Sequence, residues 1–225
     1  MRAPLSIVIP TLDAAGELPA TLACLVEGLE AGLVRELVIS DGGSSDETAR
    51  IAEAWGAEVV CGAPGRGGQL ARGAAAAGGA WLLFLHADTH LAPGWTAAVA
   101  AHMQNRESAG YFRLRFRASG PAPRIVAGWA GLRARLGLPY GDQGLLISRT
   151  LYQASGGYPD IPLMEDVALA RRLRGHLTAL PAIAETGAER YLRHGWFRHG
   201  ARNLWRLTRY LAGADPEELA RSYNR

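Results

Sequence analysis

The sequence contains no lysine, and all 24 of its basic residues are arginine. The chain is also rich in alanine and glycine, so we attribute this bias mainly to codon usage. Its chemical consequence is that guanidinium is the only strongly basic side chain with which the protein can bind phosphate.

Cysteine is nearly absent, with only Cys24 and Cys61 in the chain. Two cysteines argue against a disulfide framework and against a cysteine-based metal site. They are typical of a protein that works in a reducing compartment. We therefore expect a cytoplasmic protein.

Long apolar runs are absent too. No segment approaches the roughly 20 consecutive apolar residues that a membrane-spanning helix requires. Residues 1–4 lead directly into a strand-like segment, so we also expect no signal peptide. A content of 48% hydrophobic and 20% charged residues is typical of a globular protein and excludes a disordered chain.

The net charge of +3 conceals two halves of opposite sign. Residues 1–110 carry 6 arginines and 12 acidic residues, whereas residues 111–225 carry 18 arginines and 9 acidic residues. This asymmetry suits a protein that holds a metal ion on one side and phosphates on the other. Unevenly charged solvated faces would explain the charges equally well.

The first half alternates between short apolar runs and helical patterns. Strands are predicted at residues 5–9, 36–39, 58–61 and 81–85, and helices at residues 18–29, 48–55 and 69–77. Ser44 and Glu47 have the spacing of a capping box at the start of the second helix. This order predicts βαβ units, and hence an α/β fold with a mostly parallel sheet between two helical layers.

The second half is less regular. It predicts strands at residues 111–116, 145–147 and 177–180, and helices at residues 125–136, 167–173 and 196–211. The chain shows no linker or repeat, so we expect one domain over residues 1–225.

Polar or glycine-rich loops follow all four early strands. In an open α/β sheet, ligands bind at the carboxyl ends of the strands. Glycine lets the backbone approach a ligand closely, and amides at the start of a helix can bind phosphate. Asp13, Asp41 and Asp88 lie in three of these loops. The pattern therefore predicts a nucleotide site.

Three runs at these strand ends resemble family-2 glycosyltransferases with the GT-A fold: residues 6–13 (SIVIPTLD), 38–46 (VISDGGSSD) and 84–89 (FLHADT). Two later runs, PYGDQ at 139–143 and PLMEDV at 162–167, are similar to the compact subgroup called transferase 2, rSAM/selenodomain-associated. The resemblance covers nearly the whole chain. It implies a GT-A-type, Rossmann-like mixed sheet, mostly parallel, with helices on both faces.

The resemblance also implies that residues 1–110 hold the nucleotide sugar and metal and that residues 111–225 hold the acceptor and catalytic groups. It implies a donor site in the first of these halves. Asp41 would accept hydrogen bonds from the nucleobase, usually uracil, with Pro10, Thr11 and Asp13 nearby. Arg66 and Gln69 would contact the base or the phosphates, although Arg66 also fits a surface position in a flexible loop. An Asp at position 41 could instead cap a turn, but Ser44 and Asp46 are better placed for that role.

Asp88 matches the last acidic residue of the family's Asp-x-Asp motif, which holds Mg²⁺ or Mn²⁺ against the donor diphosphate. His86 stands where the first Asp of that motif is expected. A nitrogen ligand there would tilt preference towards Mn²⁺. A partly buried histidine bonded to the backbone is an equal alternative for His86.

Asp166 matches the family's catalytic base, and Glu165 would hold the acceptor or support its neighbour. Two acids at a helix start also suit the helix dipole, which is the structural alternative. Asp142 and Gln143 are expected to line the sugar or acceptor pocket on the resemblance alone.

Arg190 lies where related enzymes carry an Arg-Trp pair that meets the diphosphate, although Tyr191 stands in place of the Trp. Trp196 or Arg198 are alternatives for that contact, and His194 is a further candidate metal ligand. The arginine-rich helical pattern at residues 196–211 contains no acid. It packs across the sheet or rests on anionic lipid at the inner face of a membrane.

The sequence therefore predicts a metal-dependent transferase that moves a sugar from a nucleoside diphosphate, with UDP favoured, to a hydroxyl of a small-molecule or lipid-linked acceptor. We expect inversion of configuration and no nucleic-acid partner. The alternatives are a nucleotidyltransferase and a non-catalytic sugar-nucleotide-binding protein. No G-x-G-x-x-G joins a strand to a helix, which argues against a dinucleotide-binding oxidoreductase.

Overall fold

The computed structural model describes residues 3–223, and an eight-stranded mixed sheet runs through them. The strands are β1 (Leu5–Thr11), β2 (Val34–Asp41), β3 (Glu58–Cys61), β4 (Trp81–Phe84), β5 (Thr89–Leu91), β6 (Ala109–Phe116), β7 (Leu145–Ser148) and β8 (Leu177–Thr186). The helices are α1 (Leu18–Glu30), α2 (Thr48–Ala54), α3 (Arg66–Ala76), α4 (Trp95–His102), α5 (Pro121–Arg135), α6 (Arg149–Ala154), α7 (Glu165–Arg172), α8 (Glu189–His194), α9 (Trp196–Leu211) and α10 (Pro216–Tyr223), with a 3-10 helix at Gly141–Gln143.

The strands lie in the order β3-β2-β1-β4-β7-β6-β8-β5. Pairs among β3, β2, β1 and β4 are parallel, β6 pairs with β8 in parallel, and β7 and β5 pair antiparallel with their neighbours. The carboxyl ends of β1, β2 and β4 therefore meet at one edge. The predicted α/β class with a mixed, largely parallel sheet is confirmed.

The central strands β1, β4 and β7 are mostly apolar because helices cover both of their faces. On one face, Ile7, Ile39 and Leu83 join a core with residues of α1 and α4. On the other, Val8 and Phe84 pack against residues of α3, α6 and α7. Alternate residues of each strand thus enter opposite cores, which fixes the register of the sheet.

The capping box predicted at Ser44 and Glu47 is wrong. Glu47 occupies the N-cap of α2 and makes no side-chain cap bond. Ser44 instead donates to the Asp41 carboxylate at 2.5 Å, and Asp46 accepts the amide of Thr48 at 3.0 Å. The spacing suggested that Ser44 caps α2, but its hydroxyl is hydrogen-bonded to the buried carboxylate of Asp41 instead.

Several boundaries differ from the predicted ones. Helix α3 begins at Arg66 rather than residue 69, and β8 continues to Thr186 rather than residue 180. The sequence patterns did not identify β5, α4, α6, α8 or α10, most of which are short. No helix within residues 3–223 is long and apolar enough to cross a membrane.

Candidate functional site

A cleft of about 640 Å³ opens at the carboxyl ends of β1 and β4. Its walls come from the loop after β1, the start of α3, the turn after β4, the 3-10 helix, the start of α7, and α8 with α9. Of the predicted site residues, the following line it: Pro10, Thr11, Asp13, Arg66, Gln69, His86, Asp88, Asp142, Asp166 and Arg190. Asp41, Gln143 and Glu165 do not.

Asp41 lies beneath the cleft and is 3% exposed. Its Oδ1 accepts from the hydroxyls of Thr11 (2.8 Å) and Ser44 (2.5 Å), and its Oδ2 accepts from the amides of Gly43 (2.8 Å) and Ser44 (2.7 Å). Burial opposes ionisation, but these bonds outweigh it and hold the pKa of Asp41 below its usual value. Since a carboxylate has about four acceptor positions, its predicted contact with the nucleobase would need one of these bonds to be exchanged.

Asp13 and Gln69 brace the loop after β1. Asp13 has a left-handed backbone (φ 48°), and its Oδ1 accepts the amide of Ser45 at 2.8 Å. The Gln69 amide donates to the carbonyls of Thr11 (2.7 Å) and Ser40 (2.9 Å). The ends of β1 and β2 and the start of α3 are thereby joined into one frame.

The turn that carries Asp88 is held through its backbone. Thr21 donates to the carbonyl of Ala87 at 2.6 Å, and Arg117 donates to the carbonyl of Asp88 at 2.6 Å. Neither bond uses the Asp88 carboxylate. The side chain therefore lines the cleft from a fixed backbone.

His86 lies against Gly141, where an added Cβ would come within 2.5 Å of the ring Nε2. Burial, assisted by the charges of Arg66 and Arg190, lowers the pKa of His86 to about 3. The imidazole is therefore neutral at physiological pH. A neutral ring is the form that can coordinate a metal ion.

The two candidates on the 3-10 helix differ in position. Gln143 is 1% exposed and donates to the Phe112 carbonyl at 3.1 Å, so it supports the helix. Asp142 lines the cleft, and its Oδ1 is buried without a hydrogen-bond partner. Burial raises the pKa of Asp142 to about 6, with Arg133 opposing this and the charges of Asp166 and Asp88 adding to it.

Asp166 and Glu165, at the start of α7, also lie in different environments. Asp166 lines the cleft and accepts the amides of Val167 at 2.7 Å and Gly141 at 2.8 Å. Glu165 is 1% exposed, and its Oε1 lies 3.5 Å from Nη1 of Arg66. Burial, followed by the neighbouring Asp166 charge, raises the pKa of Glu165 to about 7.

Three aromatic side chains that line the cleft, Phe116, Tyr191 and His199, form a surface here called the aromatic wall. The ring of Tyr191 lies 4.8 Å from Phe116, 4.9 Å from Trp196 and 4.5 Å from His199, measured between centroids. Phe116, Tyr191, His199 and Asn203 line the cleft, whereas Arg198 and His194 do not. Sequence reasoning missed Phe116, although its place at the end of β6 was an available signal.

The sequence matches glycosyl transferase family 2 over residues 6–144, more than half of its length. The chain belongs to this family. The match includes the loops that carry Asp13, Asp41 and Asp88, and it ends at the 3-10 helix. The predicted family membership is confirmed.

Curated relatives of this family-2 glycosyltransferase include a PGL/p-HBAD biosynthesis glycosyltransferase of Mycobacterium bovis. It is 39% identical over 123 residues, which cover 48% of this chain and 44% of the relative. The Mycobacterium tuberculosis protein of the same name matches equally well. The chain thus spans less than half the length of these relatives.

Solved structures share the fold. Glucosyl-3-phosphoglycerate synthase from Mycobacterium tuberculosis, in complex with Mn²⁺, UDP and phosphoglyceric acid, has a TM-score of 0.58 at 23% identity, covering 82% of this chain and 69% of that one. S. aureus TarS has a TM-score of 0.59 at 15% identity, covering 82% and 35%. The predicted GT-A-type architecture is confirmed.

The cleft of this family-2 glycosyltransferase contains side chains of the types that bind a divalent cation. Within residues 3–223, no three His, Cys, Asp or Glu side chains are close enough to hold a metal ion by themselves. Mg²⁺-type sites commonly use one or two carboxylates together with substrate phosphates and water. Asp88 and the partnerless Oδ1 of Asp142 supply such oxygens, and His86 supplies a neutral nitrogen.

Proposed function

We propose that the protein transfers a sugar from a nucleoside diphosphate, preferably UDP, to an acceptor hydroxyl, with inversion and with a divalent metal ion. The observation that carries this proposal is the convergence of Asp13, Asp88 and Asp166 on one cleft. The relative solved with Mn²⁺ and UDP supports the choice of donor and cofactor.

The nucleoside end of the donor is assigned to the frame formed by Thr11, Asp13 and Gln69. Asp41 supports that frame from below through its hydrogen bonds to Thr11 and Ser44. It is a candidate contact to the base if one of its hydrogen bonds within the protein is exchanged. The two cleft arginines, Arg66 and Arg190, are assigned to the diphosphate, because guanidinium forms bidentate bonds with phosphate oxygens.

A Mn²⁺ or Mg²⁺ ion would be held by Asp88 together with oxygens of the donor diphosphate, with either His86 or Asp142 as a second ligand from the chain. When bound, the ion neutralises negative charge on the diphosphate leaving group. The chain itself contributes the fixed backbone under Asp88 and a neutral His86.

Asp166 is assigned the role of general base. The amides of Gly141 and Val167 occupy one acceptor position on each of its oxygens, which orients the carboxylate and leaves acceptor capacity towards the cleft. A base must lie within hydrogen-bond reach of the hydroxyl that it deprotonates. We place the acceptor between Asp166 and the aromatic wall, as a small molecule or a lipid-linked compound. Membership in the rSAM/selenodomain-associated subgroup is part of the same proposal and rests on residues 139–143 and 162–167.

The test is donor turnover by the purified chain with Mn²⁺ and a panel of nucleotide sugars. We expect release of a nucleoside diphosphate, and we expect Asp88→Ala to abolish it. Asp215→Ala is the matched control, since Asp215 is exposed and lies outside the cleft. Release of pyrophosphate would favour a nucleotidyltransferase, and full activity of Asp88→Ala would contradict the metal assignment.

A further inference from the structure

Two neighbouring helices expose large apolar side chains to solvent. Helices α5 and α9 pack against each other. Trp129 on α5 is 68% exposed and Trp205 on α9 is 65% exposed. Burying an aromatic side chain gains several times the energy of a small one, so two such residues on adjacent helices require an explanation.

The exposed apolar residues of α5 and its C-cap form one stripe. They are Ile125, Trp129, Leu132 and Leu136, each at least 45% exposed. A spacing of four, three and four residues places them on a single helical face. Core packing does not explain this stripe, because the buried residues of α5 are Pro123 and Ala134.

Helix α9 also exposes a row of apolar side chains, together with arginines. Phe197, Leu204 and Leu211 recur every seven residues and are exposed. Arg198 and Arg202 are exposed as well. The opposite side of α9 faces the protein, where Leu207 is buried and His199 lines the cleft.

The charge on both helices has one sign. The segments Pro121–Arg135 and Trp196–Leu211 contain three and four arginines and no acidic residue. Exposed aromatic and aliphatic side chains next to arginines are the composition of helices that lie in a membrane interface, where basic groups meet anionic headgroups.

We propose that the exposed faces of α5 and α9, here called the α5–α9 surface, dock the protein onto an anionic lipid bilayer. The charge argues against a second copy of the chain as the occupant. A two-fold interface brings the same patch together from both copies, so two faces that carry arginines and no acidic residue would meet and repel each other. An anionic bilayer instead offers negative charge to the arginines and an apolar layer to the tryptophans.

Docking at this surface would bring the cleft close to the membrane, because His199 and Asn203 of α9 line the cleft. The proposal does not depend on sugar transfer. Its measurement is lipid binding, so its failure and the failure of the proposed function are distinguishable.

The test is co-flotation of the full chain with vesicles of phosphatidylcholine alone and vesicles that also contain phosphatidylglycerol. We expect binding to the anionic vesicles only, and weaker binding at high salt because salt screens surface charge. The double variant Arg198→Glu/Arg202→Glu is expected to lose about tenfold or more in vesicle affinity, since each basic residue near an anionic surface contributes a severalfold gain. Trp129→Ser/Trp205→Ser is expected to lose binding as well.

Matched controls come from exposed residues outside the two helices. Trp55 is 45% exposed, and Trp55→Ser should bind vesicles as the unmutated chain does. Arg106→Glu/Arg171→Glu makes the same charge change at exposed positions elsewhere and should also retain binding. Absence of binding to anionic vesicles, or equal losses in the controls, would overturn the proposal. So would a concentration-dependent dimer that Trp129→Ser/Trp205→Ser dissociates, because it would assign the surface to a second copy.

Discussion

Asp166 and Glu165 are adjacent in sequence, yet they occupy different environments. The first turn of α7 directs Asp166 into the cleft and Glu165 into the protein, where the guanidinium of Arg66 lies 3.5 Å from its Oε1. Successive residues on a helix point about 100° apart, so one of two neighbouring acids can reach a ligand while the other is buried. The two residues therefore support different predictions.

We expect Asp166→Asn to lower the transfer rate at least about 100-fold, the usual contribution of a positioned general base. The substitution keeps the size and shape of the side chain, but its NH₂ group cannot replace the carboxylate oxygen that accepts the amide of Gly141 or Val167, so donor affinity must be checked as well. Turnover measured beside nucleotide binding separates the two effects. Transfer at the unmutated rate would reject Asp166 as the base.

Glu165 makes stability depend on pH. In the unfolded chain it loses its proton near 4.5, whereas in the folded protein its pKa is about 7. Between these values the folded state binds more protons, so this carboxyl stabilises the fold below about pH 4.5 and loses that contribution as pH rises through 7.

We therefore expect Glu165→Gln to remove that decline. The melting temperature of the variant minus that of the unmutated chain should be a few degrees higher, roughly, at neutral pH than at acidic pH. Thermal unfolding across this range measures the difference. Glu53→Gln, at an exposed position, should run parallel to the unmutated chain. A parallel curve for Glu165→Gln would show that folding does not raise the pKa of Glu165.

At the scale of elements, close backbone contacts fix the frame of the cleft. A Cβ at Gly67, in α3, would collide with the carbonyl oxygen of Pro159 and come within 2.9 Å of that of Ile161. This packing ties the start of α3 to the segment before α7. Arg66 and Asp166 are brought to one cleft by that contact.

We expect Gly67→Ala to lower the free energy of unfolding by about 1–3 kcal/mol, the usual cost of overpacking against atoms that cannot move away. Gly128→Ala is the matched control, because a Cβ at Gly128 in α5 meets nothing within 4 Å. There alanine should stabilise the helix by about 0.5–1 kcal/mol. Chemical denaturation of both variants measures the contrast, and equal effects would contradict it.

The short elements explain most of the missed secondary structure. Strand β5 has three residues and pairs with β8 at the far edge of the sheet. A three-residue run carries too little periodicity to identify a strand. Its partner decides its conformation, and that partner lies far away in the sequence.

At the scale of the whole molecule, the two halves of the chain share the site. Asp13 and Asp88 come from the acidic half, and Asp142 and Asp166 from the basic half. Arg66 and Arg190 likewise come one from each half. The charge asymmetry along the sequence therefore does not divide the cleft into a metal side and a phosphate side.

Ligand binding should stabilise the whole fold by mass action. We expect a UDP-sugar with Mn²⁺ to raise the melting temperature more than GDP- or dTDP-sugars, and more than either component alone. Asp88→Ala should lose the part of the shift that requires Mn²⁺, whereas Asp215→Ala should retain it. A metal-independent shift of equal size would contradict the assignment of Asp88.

The sequence by itself determined the α/β class and the edge of the sheet at which the cleft opens. Apolar strands covered on both faces are readable from composition, and the carboxyl ends of parallel strands must meet, so Asp13 and Asp88 were correctly expected at one cleft. Only the tertiary structure decided which polar residues face it. Asp41, Gln143 and Glu165 are buried by partners on other segments, and the stripes on α5 and α9 stay exposed because no other element within residues 3–223 covers them. Burial depends on contacts between residues distant in sequence, and local patterns do not encode those contacts.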